Sequence, residues 1–600
     1  MKKNFVFSIE CASIVTLWSV LPFLYQNYAI SNEPFNFMVH GAAYFSTIFS
    51  ISLLWIFLLN ASLTVIPFEV KGRTRQIVIV ILSVCFLMYV TIDACVYSLY
   101  RNHLDETMVR MVMDESIVQL GWKVKLEVAI VFFVYLVLIT FSLNSVLIRK
   151  IGGVTSIFFG LLFVAFNLSY SYCRASGNPV LESGVEMTPM CRPLRMSKFW
   201  NKMGVINNNE QVNFVSLGEK VNTLQYPLEK MVCGKPKMNV LFIIVDALRA
   251  DVVNLQNTPN LSLMAKEQGG IKFLNHYSGG HRTQQGVFSI FYSLPGSYWH
   301  SVWNGRVSPV MLDVLQENGY DVRAYASAPL TNPDFVNTIF VKVKGIRSVS
   351  KGDSPVERDL VSLREFKEWI AARNEKEKPF FSLIFLDAPH GYSLAEGDET
   401  PYVPTWKKAD YTKLGKNYDG KEYFNLYKNA VFNADKRIGD IISLLKKKGI
   451  YDSTLIVLTG DHGEEFNDNG LNYWGHAGNF SAAQTHVPLV IHWPGMKGGE
   501  YNHLTTSYDL VPTILSRICD CKNDFRTYSI GRDLFEETER PFFTSFGHGE
   551  QACIEKNRIV VRLPSGRLLY KDKSYRDSSD TRLPECLSSM IEEGARFRKN

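Results

Sequence analysis

Five apolar segments of membrane-spanning length crowd into the first 175 residues of this 600-residue chain. They run over about 5–25, 38–60, 76–98, 126–147 and 152–172, each long enough as a helix to cross a hydrocarbon layer of about 30 Å. Lipid offers no partners for backbone N–H and C=O groups, so such segments are confined to helices. Past residue 175, charge, Gly and Pro rise to globular levels, and the length exceeds one ordinary core. The expected divisions are a five-helix transmembrane domain (1–174), a basic membrane-proximal connector (175–236), an α/β domain (237–539) and a small C-terminal subdomain (540–600).

Short-loop cations set the expected orientation. Lys2 and Lys3 precede the first segment; Lys71, Arg73 and Arg75 follow the second; Arg149 and Lys150 follow the fourth. The loop from Gln26 to Phe37 has no Lys or Arg, while Arg101 to Lys125 is mixed. The N-terminus is expected to be cytoplasmic, which places everything after residue 175 in the periplasm of a bacterium. A cleaved signal peptide is the rival for 1–30, but no small-x-small site follows and Glu10 interrupts the run. Glu10 and Asp93 lie near segment ends and are read as interfacial. Cys191, Cys233, Cys519, Cys521, Cys553 and Cys586 lie beyond the spans and are read as structural. A net charge of +6 is mild for this length, and no nucleic-acid motif is present.

From 237 onward strand and helix patterns alternate, which predicts a sheet with covered faces. Strands are expected at 239–245, 321–326, 380–386, 454–458 and 487–492, with the clearest helix over 423–447. The apolar positions of that helix, from Tyr427 to Leu445, are read as core.

Two predicted strands end in acids. Asn239–Val245 leads into Asp246, and the run through Leu458 leads into Thr459-Gly460-Asp461-His462-Gly463-Glu464. Strand C-terminal ends are where open α/β sheets bind ligands, and carboxylate with imidazole suits a divalent transition metal. Asp246, Thr283, Asp461 and His462 are therefore expected to hold a divalent ion (Mg, Mn or Zn). Thr283 lies in the Gly-rich turn Ser278–Gly286, with its hydroxyl placed as a nucleophile before a helix. His390 and His476 are expected to steady oxyanions, and Glu464 and Glu465 read as acids in a helix first turn. In the connector, Arg192, Arg195, Lys198 and Lys202 stand among Phe199 and Trp200, a mixture suited to lipid headgroups. An ordinary helix flank is the equal alternative.

Val245–Asp251, the threonine turn, Thr459–Glu464 and the later histidines resemble the sulfatase branch of the alkaline-phosphatase superfamily. With the five preceding helices, and with Leu386–His390, Gly470–His476 and Gln484–Pro488, the whole chain resembles the YejM/PbgA family of Gram-negative inner-membrane sulfatase-like proteins. That resemblance implies lipid A or lipopolysaccharide binding and restraint of lipopolysaccharide synthesis through a membrane protein partner. Phosphatase activity would be secondary. True sulfatases mature a Cys or Ser within C/S-x-P-S-R after the first metal strand. Cys191-Arg192-Pro193-Leu194-Arg195 nearly spells this, but it has Leu for Ser and precedes Asp246, so it is read as a decoy. Thr283 is instead similar to the nucleophile of lipid phosphoethanolamine and phosphoglycerol transferases. A metal-dependent phosphoester hydrolase or lipid headgroup transferase is thus the alternative function. A cardiolipin carrier is a third, which no residue specifies.

Overall fold

A computed structural model describes residues 2–598 apart from 30–33, 66–71, 101–102, 105–121, 177–179, 182–183, 186, 195, 204–223, 237, 375–377 and 565. Two compact units result: Met1–Val215 with Thr412–Lys416 and Ser565–Arg567, and the remainder from Ser216 onward.

In the first unit, five described helices are long and apolar enough to cross a membrane: Val6–Tyr28, Asn36–Leu59, Gln76–Leu99, Trp122–Asn144 and Val146–Cys173. The first is interrupted at Ser19. Ile14, Phe49, Ile56, Leu87 and Ile139 belong to the bundle core. Phe133, Phe141, Val154 and Leu161 on the last two spans are exposed, an apolar face suited to lipid. Asp93 is buried. Its carboxylate accepts from His103 Nδ1 (2.8 Å) and the Leu104 N–H (2.7 Å), both just past the end of the span, the partners that a buried carboxylate requires.

The second unit is built on a seven-stranded sheet: β1 (Asn239–Val245), β2 (Gly270–Tyr277), β3 (Asp321–Ala326), β4 (Phe380–Leu386), β5 (Thr454–Gly460), β6 (Leu489–His492) and β7 (Gly499–Thr506). Their spatial order is β3-β4-β1-β5-β6-β2-β7. The central strands are continuous apolar runs, as parallel strands covered on both faces must be, and β4 and β5 are buried throughout. Strands β2 and β7, next to and at one edge of the sheet, escape the sequence reading because polar residues such as Lys272, Asn275 and Asn502 stand along them. Strand β6 begins at Leu489 rather than 487, because Pro488 has no N–H and Val487 donates instead to the His276 carbonyl.

Three helices matter below: α1 (Thr283–Tyr292), α2 (Pro355–Ala372) and α3 (Lys421–Lys447). Tyr427, Val431, Ala434, Ile438 and Leu445 of α3 are buried, as their spacing predicts. The last 60 residues add an antiparallel sheet of β8 (Phe542–Phe546), β9 (Gln551–Glu555), β10 (Arg558–Arg562) and β11 (Leu568–Asp572). Disulfides join Cys233 to Cys521 and Cys553 to Cys586, while Cys519 stays a buried thiol.

Candidate functional site

Register builds the site. Strand β1 lies between β4 and β5 in parallel, with Val245 opposite both Leu386 and Gly460. The next residue of each strand, Asp246, Asp387 and Asp461, therefore leaves the sheet at one edge. Ala247 turns sharply there (φ 59°), a conformation uncommon for a residue bearing a Cβ. Its N–H donates to Asp461 Oδ1 (3.2 Å), as does the His462 N–H (3.0 Å). Asp461 Oδ1 is thus fully engaged.

The remaining donors converge without partners. Asp246 Oδ1 and Asp461 Oδ2 are buried and have no hydrogen-bond partner among the described residues. His462 Nδ1 donates to the Gly463 carbonyl (2.8 Å), which leaves a bare lone pair on Nε2. That Nε2 lies 3.4 Å from Asp246 Oδ1, 3.5 Å from Asp461 Oδ2 and 3.2 Å from Thr283 Oγ1. The ligand atoms of the Asp246, Asp461 and His462 group all fall within 4.8 Å of one another. Leaving carboxylate oxygens buried and unbonded is costly; a divalent cation is the group that this donor set fits.

Thr283 opens α1, whose first-turn N–H groups favour an anion there. The approach depends on Gly286 one turn later: a Cβ there would stand 2.1 Å from the Asp461 carbonyl oxygen. Ser278 adds a hydroxyl bond to that carbonyl and accepts from the Gly280 N–H (3.1 Å).

His390 and His476 form the open side, with about a quarter of each side chain exposed (23 % and 25 %). His390 Nδ1 lies 3.1 Å from Asp387 Oδ1, and His476 Nδ1 lies 3.1 Å from Glu464 Oε2. Tyr392 donates to the other Glu464 oxygen (2.7 Å). The His476 ring lies 4.4 Å from that of His462 and 5.1 Å from that of His390, centre to centre. Asp387 and Glu464 are orienting carboxylates, a role that the sequence reading gave to neither. Their signal was position, one and four residues past a buried strand. No helix follows His462, so Glu464 and Glu465 are not first-turn acids: both are buried, and Glu465 begins the two-residue strand Glu465–Phe466.

Burial, and then Asp461, push the Asp246 carboxyl well above the usual range; burial raises Asp461 to about 7. Burial also holds His462 and His476 well below an ordinary imidazole. For His390 burial acts in the same direction, but Asp246 and Asp387 outweigh it and hold that ring well above its usual value.

Other sequence candidates fall elsewhere. His486 stacks on Tyr277 (4.8 Å), and its Nε2 lies 2.9 Å from the Leu274 carbonyl, so it is a packed histidine. Cys191 belongs to the first unit, where Thr47 donates to its sulfur (3.1 Å). Of the connector cations, Arg192 and Lys202 are exposed. Arg195 and the Lys198 side chain lie outside the described residues, although Lys198 is part of the short helix Ser197–Lys202.

The family described as Sulfatase matches residues 238–518, which hold Asp246, Thr283, His390, Asp461, His462 and His476. A domain of unknown function (DUF3413) matches 24–233. Inner membrane protein YejM of Salmonella typhimurium is 22 % identical over 82 % of this chain and 79 % of its own length. The chain carries a Sulfatase-family domain and is similar over most of its length to YejM. An uncharacterized protein of Haemophilus influenzae is 23 % identical over 91 % of this chain and 87 % of its own. Among solved structures, an alkaline-phosphatase-superfamily protein from Vibrio parahaemolyticus is 18 % identical, with a TM-score of 0.43 over 63 % of this chain and 91 % of that one. Relatives of YejM-type proteins among sulfatases and alkaline phosphatases generally use a divalent metal ion, in keeping with the donor set at Asp246, Asp461 and His462.

Proposed function

We propose that this YejM-type protein lies in the bacterial inner membrane with its N-terminus cytoplasmic and its sulfatase-like domain periplasmic. There it binds lipid A, lipopolysaccharide or another anionic lipid at the membrane face. Through a membrane protein partner it regulates lipopolysaccharide and outer-membrane lipid balance. One observation carries this reading. The helix Ser197–Lys202 is pinned to the last span by Trp200 Nε1 donating to Ser171 Oγ (2.5 Å), while Phe199, Met203, Arg192 and Lys202 are exposed. Rings and cations held at a span's end suit acyl chains and phosphates together. Arg192 is matched to bidentate phosphate contact. The test is binding of lipid A to the full-length protein with these cations neutralised; undiminished binding would end this reading.

The site geometry favours a second activity, metal-dependent phosphoester hydrolysis or headgroup transfer. Asp246, Asp461 and His462 would hold the ion with Thr283 beside it. The ion would supply a lowered hydroxyl pKa and charge stabilisation. Thr283 Oγ1 would attack phosphorus as the bond to the departing alcohol breaks, with α1 directing N–H groups at the developing charge; water, or an acceptor hydroxyl in transfer, would then release the phosphoryl group from Thr283. His390, its Nδ1 held by Asp387, is placed to donate to a phosphoryl oxygen, and Glu464 fixes the ring of His476 beside it. Both rings limit water at the open side. Full turnover by purified Thr283→Ala protein would remove this activity without touching the lipid-binding reading.

A further inference from the structure

Helix α2 buries two adjacent charged residues that packing alone does not explain. Its sequence supplies an apolar face: Val356, Leu363, Phe366 and Ile370 are all buried. Yet Asp359 is fully buried and Arg358 nearly so. Taking charges out of water costs several kcal/mol per ion unless each finds good partners, so the partners show what the pair is for.

All but one of them lie in the turn that follows β4. Asp359 Oδ1 accepts from the Asp387 N–H (2.8 Å), and its Oδ2 from the Ala388 N–H (3.1 Å). Ser327, at the end of neighbouring β3, adds a hydroxyl bond to the same carboxylate. Arg358 Nη2 meets the Asp387 side chain at Oδ2 (3.4 Å), opposite the oxygen that faces His390 Nδ1. Gly391 closes the turn against the start of the helix, with its missing Cβ in the space beside Pro355. One residue of the helix holds the backbone of the turn and its neighbour holds the carboxylate. Ligand atoms of Asp246, Asp387 and His390 lie within 4.8 Å of one another.

We propose that Arg358 and Asp359 are positioning residues for the phosphoryl-binding face, acting through Asp387 to fix the ring of His390. This rests on the phosphoester reading of the site. Arg358 neutralises the Asp387 charge and aims its free oxygen, so that Asp387 orients His390 without drawing it away from the substrate. Asp359 fixes the height of the turn above the sheet. Neither touches Asp246, Asp461 or His462, and so neither is expected to alter ion binding by that group.

The experiment uses full-length protein in detergent, loaded with Mn2+, and orthovanadate as the probe of the phosphoryl face. Outer partners of ligating groups typically change affinity or activity by about 10–100-fold, and a loss of that order in vanadate affinity is expected for Arg358→Met. Arg358→Lys should recover part of it. Mn2+ affinity should stay at the wild-type value in both, while Arg358→Met lowers Tm because Asp387 loses its buried partner. Unchanged vanadate affinity in Arg358→Met would overturn the proposal, as would a fall in Mn2+ affinity in step with it. Should Arg358→Met fail to fold, Ser327→Ala removes one donor to Asp359 and is expected to give a smaller loss of the same kind; no loss would again overturn it. If wild-type protein binds no vanadate, the phosphoester reading fails first. The ring of His390, followed in isotope-labelled protein and assigned with His390→Gln, then decides. A changed Nδ1 proton signal in Arg358→Met supports the positioning role, and an unchanged one ends it.

Discussion

Thr283 Oγ1 and His462 Nε2 stand 3.2 Å apart although 179 residues separate them in the chain. The hydroxyl arrives on the first turn of a helix and the imidazole just past the end of a parallel strand. Replacing Thr283 by Ala removes the nucleophile and no buried packing of consequence. Metal-dependent phosphoester turnover should fall by roughly 10³–10⁶-fold, with Tm nearly unchanged. Thr283→Ser should retain measurable activity. Steady-state assays with thermal melts check this, and an active Ala variant would count against the nucleophile.

Metal binding should be strongly pH-dependent. Burial raises Asp461 to about 7 and Asp246 well above its usual value, and metal ligation needs the carboxylates ionised. Mn2+ affinity is therefore expected to weaken as pH falls below about 7. For the metal-free fold the sign is the reverse. A carboxyl raised above its unfolded value of about 4 stabilises the fold below that pH and loses this contribution as pH rises towards 7. In EDTA, Asp461→Asn should thus lose less Tm than wild type between pH 4 and 7. Titrations and melts across that range decide both points; a flat Mn2+ affinity would be incompatible with these ligands.

Gly286 tests how closely α1 must approach the β5 turn. Gly286→Ala would bring a methyl to 2.1 Å from the Asp461 carbonyl oxygen, so backbone must shift. The expected destabilisation is about 1–3 kcal/mol, typical of overpacking, with weaker Mn2+ binding because Asp461 moves. Denaturant melts and metal titration measure the two; wild-type values in both would mean that the approach is not constrained.

The connector prediction is electrostatic. Replacing Arg192, Arg195, Lys198 and Lys202 together by Gln removes four cations, each contributing about 1 kcal/mol beside an anionic surface. Lipid A affinity should fall on the order of 100-fold or more, and its sensitivity to salt should shrink. In cells, the ratio of lipopolysaccharide to phospholipid should rise at normal protein abundance. An unaltered ratio would assign regulation to other residues.

Much of this was legible in the chain. Asp246, Asp461 and His462 follow apolar runs whose parallel register is a simple consequence of burial on both faces, so a strand-end reading brings them together. The long helix α3 and the five spans announce themselves by period and length. Strands β2 and β7 do not, because polar residues interrupt their apolar pattern near one edge of the sheet. Asp387, Glu464 and the α2 pair were hidden for a different reason: the histidine or turn that each one orients is set by the fold and not by spacing. An acid reads the same in a primary structure whether it orients a ring or sits in water.

The Cys233–Cys521 bond has a mechanical meaning. The chain arriving from the membrane side joins the Cys519–Asn523 loop before it enters β1 at Asn239, and it is reinforced there by hydrogen bonds from Gly234 to Cys519, from Lys522 to Val232 and from Val232 to Asn523. Tension on that tether is carried into a loop 288 residues downstream and bypasses β1. The strand that carries Asp246 is therefore shielded from any pull along the tether, and the spacing of the site's donors is insulated from movements of its anchor.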